Sequence, residues 1–300
     1  MEKKLFVISN IFLAVVFLAA IFYSTDFSAL ALALKKANLV FVIAAVFFYL
    51  LTHFASAIRY KALLPSFSIY SYFSSHLKGM LASDATPGRI GYSYFVFDMR
   101  KKGLKGGEGA RMLGLSMASD FLVRGLLALA GVWLFSSAFG QIGVIVILAS
   151  LAAFGLVLYE LPFISKAISK IPFYGERLEN AYNTAFSQKT SRRQLAFSIF
   201  ASFVGAVARG MEWVLIFYAL GQPVMLAQMI VASALVTALS FVPLSVSGIG
   251  LQEGGGVFLL SSLLGFPASQ ALAGMLLIRF VDVFTDLVAG GAFFLSEKRF

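Results

Sequence analysis

A chain of 300 residues, of which 60% are hydrophobic and only 13% are charged, does not have the composition of a water-soluble domain. The lack of cysteine excludes disulfides, iron–sulfur clusters and thiolate zinc sites, and two histidines are too few for a typical histidine metal centre. The net charge of +10 lies in short basic tracts beside apolar runs, which the positive-inside rule explains without nucleic acid. We therefore predict a polytopic membrane protein with no metal and no cofactor.

The first half of the chain is predicted to begin with two spans and a hairpin. Residues 5–24 form a retained first span, because the apolar run is longer than a signal-peptide core and lacks a small-x-small cleavage site. Residues 38–58 form the second span. The next two stretches, 66–83 and 90–99, are respectively too polar and too short to cross, and Pro87 separates them. We predict that they form a re-entrant helical hairpin.

The remaining apolar runs predict four further spans and a second hairpin. The spans are 112–135, 143–159 and 195–220, and a final run at 271–295 makes the sixth. Residues 160–193 carry mixed charge, and their apolar spacing predicts an amphipathic connector on the cytoplasmic membrane surface. Residues 224–264 are apolar on either side of a Ser/Gly-rich break, which favours the second re-entrant hairpin.

The distribution of lysine and arginine predicts the orientation. Basic residues gather at both termini and at 59–61, 100–111 and 160–193, whereas the turns near 138–142 and 220–223 are uncharged. With the basic segments in the cytoplasm, both termini are inside and the two hairpins enter from opposite sides. If both arms of the second hairpin cross, the protein has eight spans, and charge counting does not separate the two arrangements.

These elements predict one all-α transmembrane domain over residues 1–300, built as an inverted repeat. One repeat covers about 38–135 and the other about 195–295, each as span, hairpin and span. The compact form and the lack of targeting signals suit the plasma membrane of a prokaryote.

Two interrupted motifs occupy corresponding places in the two repeats. They read D-A-T-P-G-R-I-G over 84–91 and V-P-L-S-V-S-G-I-G-L-Q-E over 242–253. Paired interruptions of this kind indicate a transporter site at the bilayer midplane, and irregular backbone there must be buried or line a cavity. Each motif opens a helix whose free N–H groups favour an anion. The predicted headgroup-binding residues of the motifs are Pro87, Gly88, Arg89, Gly91, Ser247, Gly248, Gly250 and Glu253.

Ionisable residues inside the predicted spans are costly and are therefore candidates for function. Three pairs share a helix face at i,i+4 or i,i+3 spacing: Asp120 with Arg124, Arg209 with Glu212, and Arg279 with Asp282. Each pair alone can be explained as a lock between helices. Three helices that each contribute an arginine favour a cavity for an acidic headgroup, with Arg124, Arg209 and Arg279 as ligands beside Arg89. The candidate coupling residues are Asp84, Asp120, Glu212, Asp282 and Asp286.

Several polar residues have two interpretations. Glu253 is either a helix cap or a proton- or cation-responsive group, and Asp84 has the same two readings. Asp286 has no evident partner within its own helix. His76 and Lys78 are predicted to lie at the membrane interface. The chain contains no Gly-Lys-Ser/Thr phosphate loop, no H-E-x-x-H and no G-x-S-x-G, so an ATP-driven pump is not expected.

At the two motifs the chain resembles the transmembrane region of lysylphosphatidylglycerol synthases, the multiple-peptide-resistance type. The resemblance rests on P-G-R-I-G over 87–91 and S-G-I-G-L-Q-E over 247–253, and Arg59 after the second span supports it. It implies a flippase-like region with two re-entrant hairpins. Tyr92 stands where members often carry glutamate. The full synthases continue into a soluble aminoacyl-transferase domain, whereas this chain stops at Phe300, so we expect no enzymatic activity.

The favoured hypothesis is a lipid flippase or transporter that binds an anionic phospholipid or polyprenyl-phosphate headgroup in a central cavity. One alternative is a small-anion secondary transporter that uses the same cavity. Another is a non-transporting scaffold for a lipid-modifying or glycosyl-transfer enzyme. The expected partners are membrane lipids and not nucleic acid, and the sequence leaves open a homo-oligomer or a lipid-modifying enzyme as a protein partner.

Overall fold

The structure is a computed structural model that describes residues 35–84, 86, 90–135, 189–239 and 250–297, with a few single positions between 144 and 183. The predicted span 5–24, most of the predicted span 143–159 and most of the connector lie outside the described residues, as do the centres of both motifs. Every regular element in the described part is helical. The prediction of an all-helical protein is therefore confirmed for that part of the chain.

Four helices and one 3₁₀ turn build the first described half. The helices are α1 (Leu39–Leu63), α2 (Ile69–Asp84), α3 (Tyr94–Lys101) and α4 (Gly106–Phe135), and the 3₁₀ turn Ile90–Ser93 leads into α3. Helix α1 begins where the Asn38 side chain accepts a hydrogen bond from the Val40 N–H at 3.0 Å. It continues past residue 58 because the first helix breaker is Pro65. Arg59, expected in the segment after the span, therefore lies within α1.

The second half contains five helices and one π-helical turn. The helices are α5 (Arg192–Ala219), α6 (Leu226–Leu239), α7 (Leu251–Leu264), α8 (Ala268–Thr285) and α9 (Gly291–Glu297), and the π turn Asp286–Gly290 joins the last two. A capping box starts α5, in which Ser191 and Gln194 exchange side-chain and backbone hydrogen bonds. Gly265, in the left-handed conformation, ends α7.

Three described helices are long and apolar enough to cross a membrane: Leu39–Leu63, Gly106–Gly131 and Arg192–Ala219. They correspond to the predicted second, third and fifth spans. The predicted sixth span is helical from Ala268 to Glu297 but contains the π turn. The total of six spans stays a prediction, because the first predicted span and most of the fourth lie outside the described residues.

Helices α1 and α5 form an antiparallel pair at the centre of the protein. The Asn38 N–H donates to the Ala219 carbonyl at 2.8 Å, which joins the start of α1 to the end of α5. At the opposite end, the Gln194 amide donates to the Leu63 carbonyl at 3.4 Å. Two apolar cores flank this pair, one around Trp213 and the other around Phe95. Tyr49 belongs to the first core and Tyr60 to the second, and both side chains border a polar cavity.

Candidate functional site

The polar cavity lies between α1, α2 and α4. Tyr92 of the 3₁₀ turn and single residues of α5, α6, α7 and α8 complete its wall. The charged residues of the lining are Arg59, Asp120, Arg124, Arg209 and Asp282. A polar cavity enclosed by helices is where intramembrane charges are expected to be functional.

Arg59, Asp120 and Arg124 form one ionic cluster on the wall of the cavity. Asp120 accepts hydrogen bonds from Arg59 and Arg124, both at 2.7 Å, and Ser202 accepts a second one from Arg59 at 3.0 Å. Two guanidinium groups facing one carboxylate leave an excess of one positive charge. Within the described part of the chain, the buried Arg124 Nη1 and Arg59 Nε have no hydrogen-bond acceptor. The cluster therefore has both the charge and the spare donors to bind an anion.

The predicted pairing of Asp120 with Arg124 is present in this cluster, but Arg59 was not among the predicted site residues. The positive-inside rule placed it at the cytoplasmic end of a span. The helical continuation to Pro65 could have located it inside the helix, where Ser56 lies one turn away and accepts a hydrogen bond from Arg59 at 2.8 Å.

Arg209 belongs to a second cluster with the opposite balance of charge. Its guanidinium donates to both oxygens of Glu212 at 2.8 and 2.6 Å and to both oxygens of Asp282 at 2.7 and 2.6 Å. The predicted pairing of Arg279 with Asp282 is therefore wrong, because Asp282 binds an arginine of another helix. Two carboxylates already occupy Arg209, which makes it a weaker phosphate ligand than Arg124 in this arrangement.

Arg279 instead lies beside Glu253, with 3.8 Å between Nε and Oε1. Glu253 caps the start of α7, because its Oε2 accepts the Gly250 N–H at 2.7 Å. Gly250 has a φ of +82°, a conformation that other residues rarely adopt. Among the described residues the buried Arg279 Nη1 finds no hydrogen-bond acceptor. Arg279 is thus a further cation, outside the cluster of Arg59 and Arg124, with an unused hydrogen-bond donor.

A wide apolar groove runs along one face of α8. It is lined by Leu276, Phe280, Val283, Phe284 and Leu287, with Asp84, Glu253 and Arg279 as its charged residues. A small hollow shares Glu253 and Arg279 with the groove and Arg209 and Asp282 with the polar cavity. An apolar surface groove and a buried polar cavity therefore adjoin each other through shared charged residues.

A row of titratable side chains forms another wall of the polar cavity. The Tyr49 hydroxyl donates to Asp286 at 2.9 Å, and His53 Nε2 lies 3.7 Å from the same carboxylate. His53 Nδ1 is 2.9 Å from His76 Nε2, and the Tyr92 hydroxyl is 2.7 Å from His76 Nδ1. Asp286, for which its own helix offered no partner, is thus bound from α1. His76, which was predicted to lie at the membrane interface, is enclosed by protein.

Lys78, also predicted to be interfacial, is fully buried and ties α2 to α3. It donates to Asp98 at 2.7 Å, and Ser75 and Lys102 bind the same carboxylate at 2.6 and 3.2 Å. Burial alone would raise the pKa of Asp98, but the hydrogen bonds and the two ammonium groups outweigh it and lower that pKa. This cluster does not contribute to the lining of the polar cavity and holds the two helices together.

The remaining predicted residues lie near the first motif or outside the described part. Pro87, Gly88, Arg89, Ser247 and Gly248 are outside it. The Gly91 N–H donates to the Thr86 hydroxyl at 2.6 Å, and Asp84 ends α2. No group of three potential metal ligands occurs among the described residues.

Comparisons with known proteins agree with the helical, charge-bearing architecture. A search of curated protein sequences gives no match to this chain. A family model described as the lysylphosphatidylglycerol synthase TM region matches residues 6–290. The matched range includes both interrupted motifs and every charged cluster described above. The chain therefore belongs to the family of lysylphosphatidylglycerol synthase transmembrane regions.

Proposed function

We propose that this membrane protein moves an anionic lipid between the two leaflets, with the headgroup in the polar cavity and the chains in the apolar groove. The observation that carries the proposal is the junction of these two spaces at Glu253, Arg279, Arg209 and Asp282. An amphiphile needs an apolar path and a polar path side by side, because neither its chains nor its headgroup can enter the environment of the other without a large desolvation penalty.

The unused arginine donors favour an anionic headgroup. Arg279 lies where the groove and the small hollow meet, and Arg124 lies on the wall of the polar cavity. Guanidinium groups bind phosphate through paired hydrogen bonds, and a buried donor without an acceptor stabilises any anion that reaches it. We propose that a phosphate passes from Arg279 to the cluster of Arg59 and Arg124.

We further propose that alternating access arises from an inverted repeat. In this proposal helices α1 and α5 are corresponding members, and their antiparallel packing supports a pseudo-two-fold axis across the helices. The cross-repeat contacts also correspond, since α4 packs on α6 and the turn after α8 packs on α2. Inverted repeats of this kind move against each other around a central site in transporters.

The lengths of the hairpin helices support re-entrant segments. Helices α2 and α3 contain 16 and 8 residues, and α7 contains 14. A full crossing takes about 20 apolar residues. We propose that both hairpins turn back within the membrane and present the two motifs to the cavity.

Reconstitution into phospholipid vesicles tests the proposal. A fluorescent phosphatidylglycerol and a fluorescent phosphatidylcholine are each incorporated, and their translocation is followed by quenching of the outer leaflet. We expect the protein to accelerate translocation of the anionic lipid, and Arg124→Gln and Arg279→Gln to remove most of that acceleration. Arg193→Gln is the matched control, because it makes the same change at an exposed position at the start of α5.

Three outcomes would overturn the proposal. Equal rates for Arg124→Gln and Arg193→Gln would remove the role of the cavity cluster. Tight binding of a free phosphate ester without lipid movement would favour the small-anion transporter. A protein that moves neither ligand but co-purifies with a lipid-modifying or glycosyl-transfer enzyme would favour the scaffold.

A further inference from the structure

A row of polar side chains leads from the polar cavity to a fully buried carboxylate; hydrogen bonds join its members except at the last step, where 3.7 Å separates His53 Nε2 from Asp286. It starts at Tyr92, whose hydroxyl contacts Tyr60 and His76, passes from His76 to His53, and ends beside Asp286. Tyr92, His76 and His53 border the cavity, whereas Asp286 lies behind Tyr49 and does not contribute to the lining. No step of lipid binding proposed above uses these groups.

His53 Nδ1 and His76 Nε2 are 2.9 Å apart and form a hydrogen bond, so one of these two nitrogens carries the proton and the other accepts it. If His76 Nε2 carries it, His76 Nδ1 accepts from Tyr92 and His53 Nε2–H points at an ionised Asp286. If His53 Nδ1 carries it, His76 Nδ1–H points at Tyr92, and His53 Nε2 faces Asp286 as an acceptor. In the second arrangement His53 Nε2 can accept a hydrogen bond from a protonated Asp286 once the 3.7 Å separation closes, whereas an ionised Asp286 would place two acceptors opposite each other.

The two arrangements differ by the transfer of one proton along the row. Tyr92 gives its proton to His76 Nδ1, His76 Nε2 gives its proton to His53 Nδ1, and His53 Nε2 gives its proton to Asp286. Tyr92 recovers a proton from the cavity. One proton thus leaves the cavity, one carboxylate becomes neutral, and both imidazoles stay neutral throughout.

Charged groups face both ends of the row, so this transfer changes the electrostatics of both ionic clusters. Arg59 and Asp120 border the cavity beside Tyr92, and Arg209 lies over the Tyr49 ring at 5.3 Å. Asp282 pairs with that arginine, and Asp84 borders the adjacent groove. Neutralisation of Asp286 removes a negative charge from the side of Arg209 that Tyr49 covers.

We propose that this row is a proton-transfer chain and that Asp286 is the coupling site, so that translocation of the anionic lipid is linked to proton movement. The proposal names the proton as the co-substrate of the cavity and rests on the proposed lipid transport. Asp286 was predicted as a coupling residue, whereas the roles of His53, His76 and Tyr92 follow from the tertiary contacts alone.

The first test does not depend on transport. His53 and His76 are the only histidines of the chain, so nitrogen-15 histidine labelling of the full protein in bilayers gives a spectrum of these two rings. We expect a correlation across the shared hydrogen bond, and we expect Asp286→Asn to change the tautomer signals of both rings. Tyr218→Phe, at a partly exposed tyrosine, is the control and should change neither. Two uncoupled rings that ignore Asp286→Asn would overturn the proposal.

The second test measures vesicle translocation of fluorescent phosphatidylglycerol under an imposed pH gradient of either sign. We expect the wild-type rate to depend on the sign of the gradient, and His76→Gln and Tyr92→Phe to lose that dependence while Tyr218→Phe keeps it. Lipid movement that ignores the gradient would overturn the coupling and leave the proposed function standing. Absence of lipid movement, with the histidine signals as expected, would overturn the lipid substrate and the coupling to it but retain the proton chain.

Discussion

At the scale of single residues, the buried arginines differ in how many carboxylates each one binds, although the sequence gives no reason to distinguish them. Arg59 and Arg124 share one carboxylate, whereas Arg209 alone binds two. The first arrangement leaves positive charge and donors for a ligand, and the second leaves none to spare. The same residue type thus serves as a binding group in one cluster and as a connection between α5 and α8 in the other.

Replacing each type of arginine should therefore have a different effect. Arg209→Gln leaves two buried carboxylates without their cation, and we expect it to lower the free energy of unfolding by about 3–5 kcal/mol. Arg124→Gln should leave stability nearly unchanged, because Arg59 still binds Asp120, but it should remove retained anionic lipid. Thermal unfolding in detergent and native mass spectrometry measure the two effects. Loss of lipid from both variants with equal stability would contradict this division.

The buried cluster of Lys78 and Asp98 predicts a loss of stability that depends on pH. Asp98→Asn leaves two lysines without their carboxylate, and we expect a loss of about 3–5 kcal/mol at neutral pH. Because the pKa of Asp98 is lowered in the folded protein, its contribution is complete above the usual carboxyl range and is lost as the pH falls through the lowered value. The difference between wild type and variant should therefore shrink only below about pH 4.

Unfolding at several pH values measures this difference. Glu108→Gln, at a half-buried position in the first turn of α4, is the control and should cost about 0–1 kcal/mol. A difference between wild type and Asp98→Asn that grows in acid would show that the carboxylate is not held ionised by its neighbours.

At the scale of elements, glycines allow the helices of the two repeats to approach closely. A Cβ at Gly131 of α4 would lie 2.5 Å from Val231 Cγ1 of α6, and one at Gly290 in the π turn would lie 2.8 Å from the Leu77 carbonyl of α2. In lipid, helices associate through van der Waals packing and not through the hydrophobic effect, and small residues at such crossings allow that close packing. The two crossings are counterparts in the proposed repeat.

Gly290 and its neighbour Gly291 provide a matched pair of substitutions. Gly290→Ala forces its methyl group against backbone and against Leu81, and we expect a loss of about 1–3 kcal/mol. Gly291→Ala meets nothing within 4 Å and should be neutral or slightly stabilising. Thermal unfolding of the two variants tests the crossing. Equal free energies of unfolding for the two variants would mean that α2 can move away from the π turn without destabilising the protein.

At the scale of the whole molecule, the antiparallel packing of α1 on α5 makes a prediction about sidedness. The start of α1 meets the end of α5, and the end of α1 meets the start of α5. Because the proposed hairpin of α2 and α3 returns to the face from which it enters, the turn before α4 and the turn after α5 should lie on opposite faces of the membrane. The chain has no cysteine, so single labels can be introduced without background. We expect an impermeant thiol reagent to reach Lys105→Cys from the cytoplasmic side and Gln222→Cys from the other side. Labelling of both from one side would contradict the inverted repeat.

The sequence by itself determined the features that depend on local geometry. Helix periodicity places Asp120 near Arg124 and Arg209 near Glu212. The position of Glu253 at a helix start offered the cap as one of two interpretations, and the structure shows the cap contact. Apolar length identified three membrane-crossing helices, and two short motifs identified the family. These features need no knowledge of how distant helices pack, since one helix fixes the spacing of its own side chains.

Only the tertiary structure decided which charges meet across helices. Asp282 binds Arg209 of another helix, although Arg279 lies three residues away in its own helix. Asp286 accepts a hydrogen bond from Tyr49, which lies on a helix distant in sequence. His53 and His76 meet for the same reason. In a low-dielectric interior each charge takes the partner that packing brings nearest, and no spacing rule in one sequence encodes that distance.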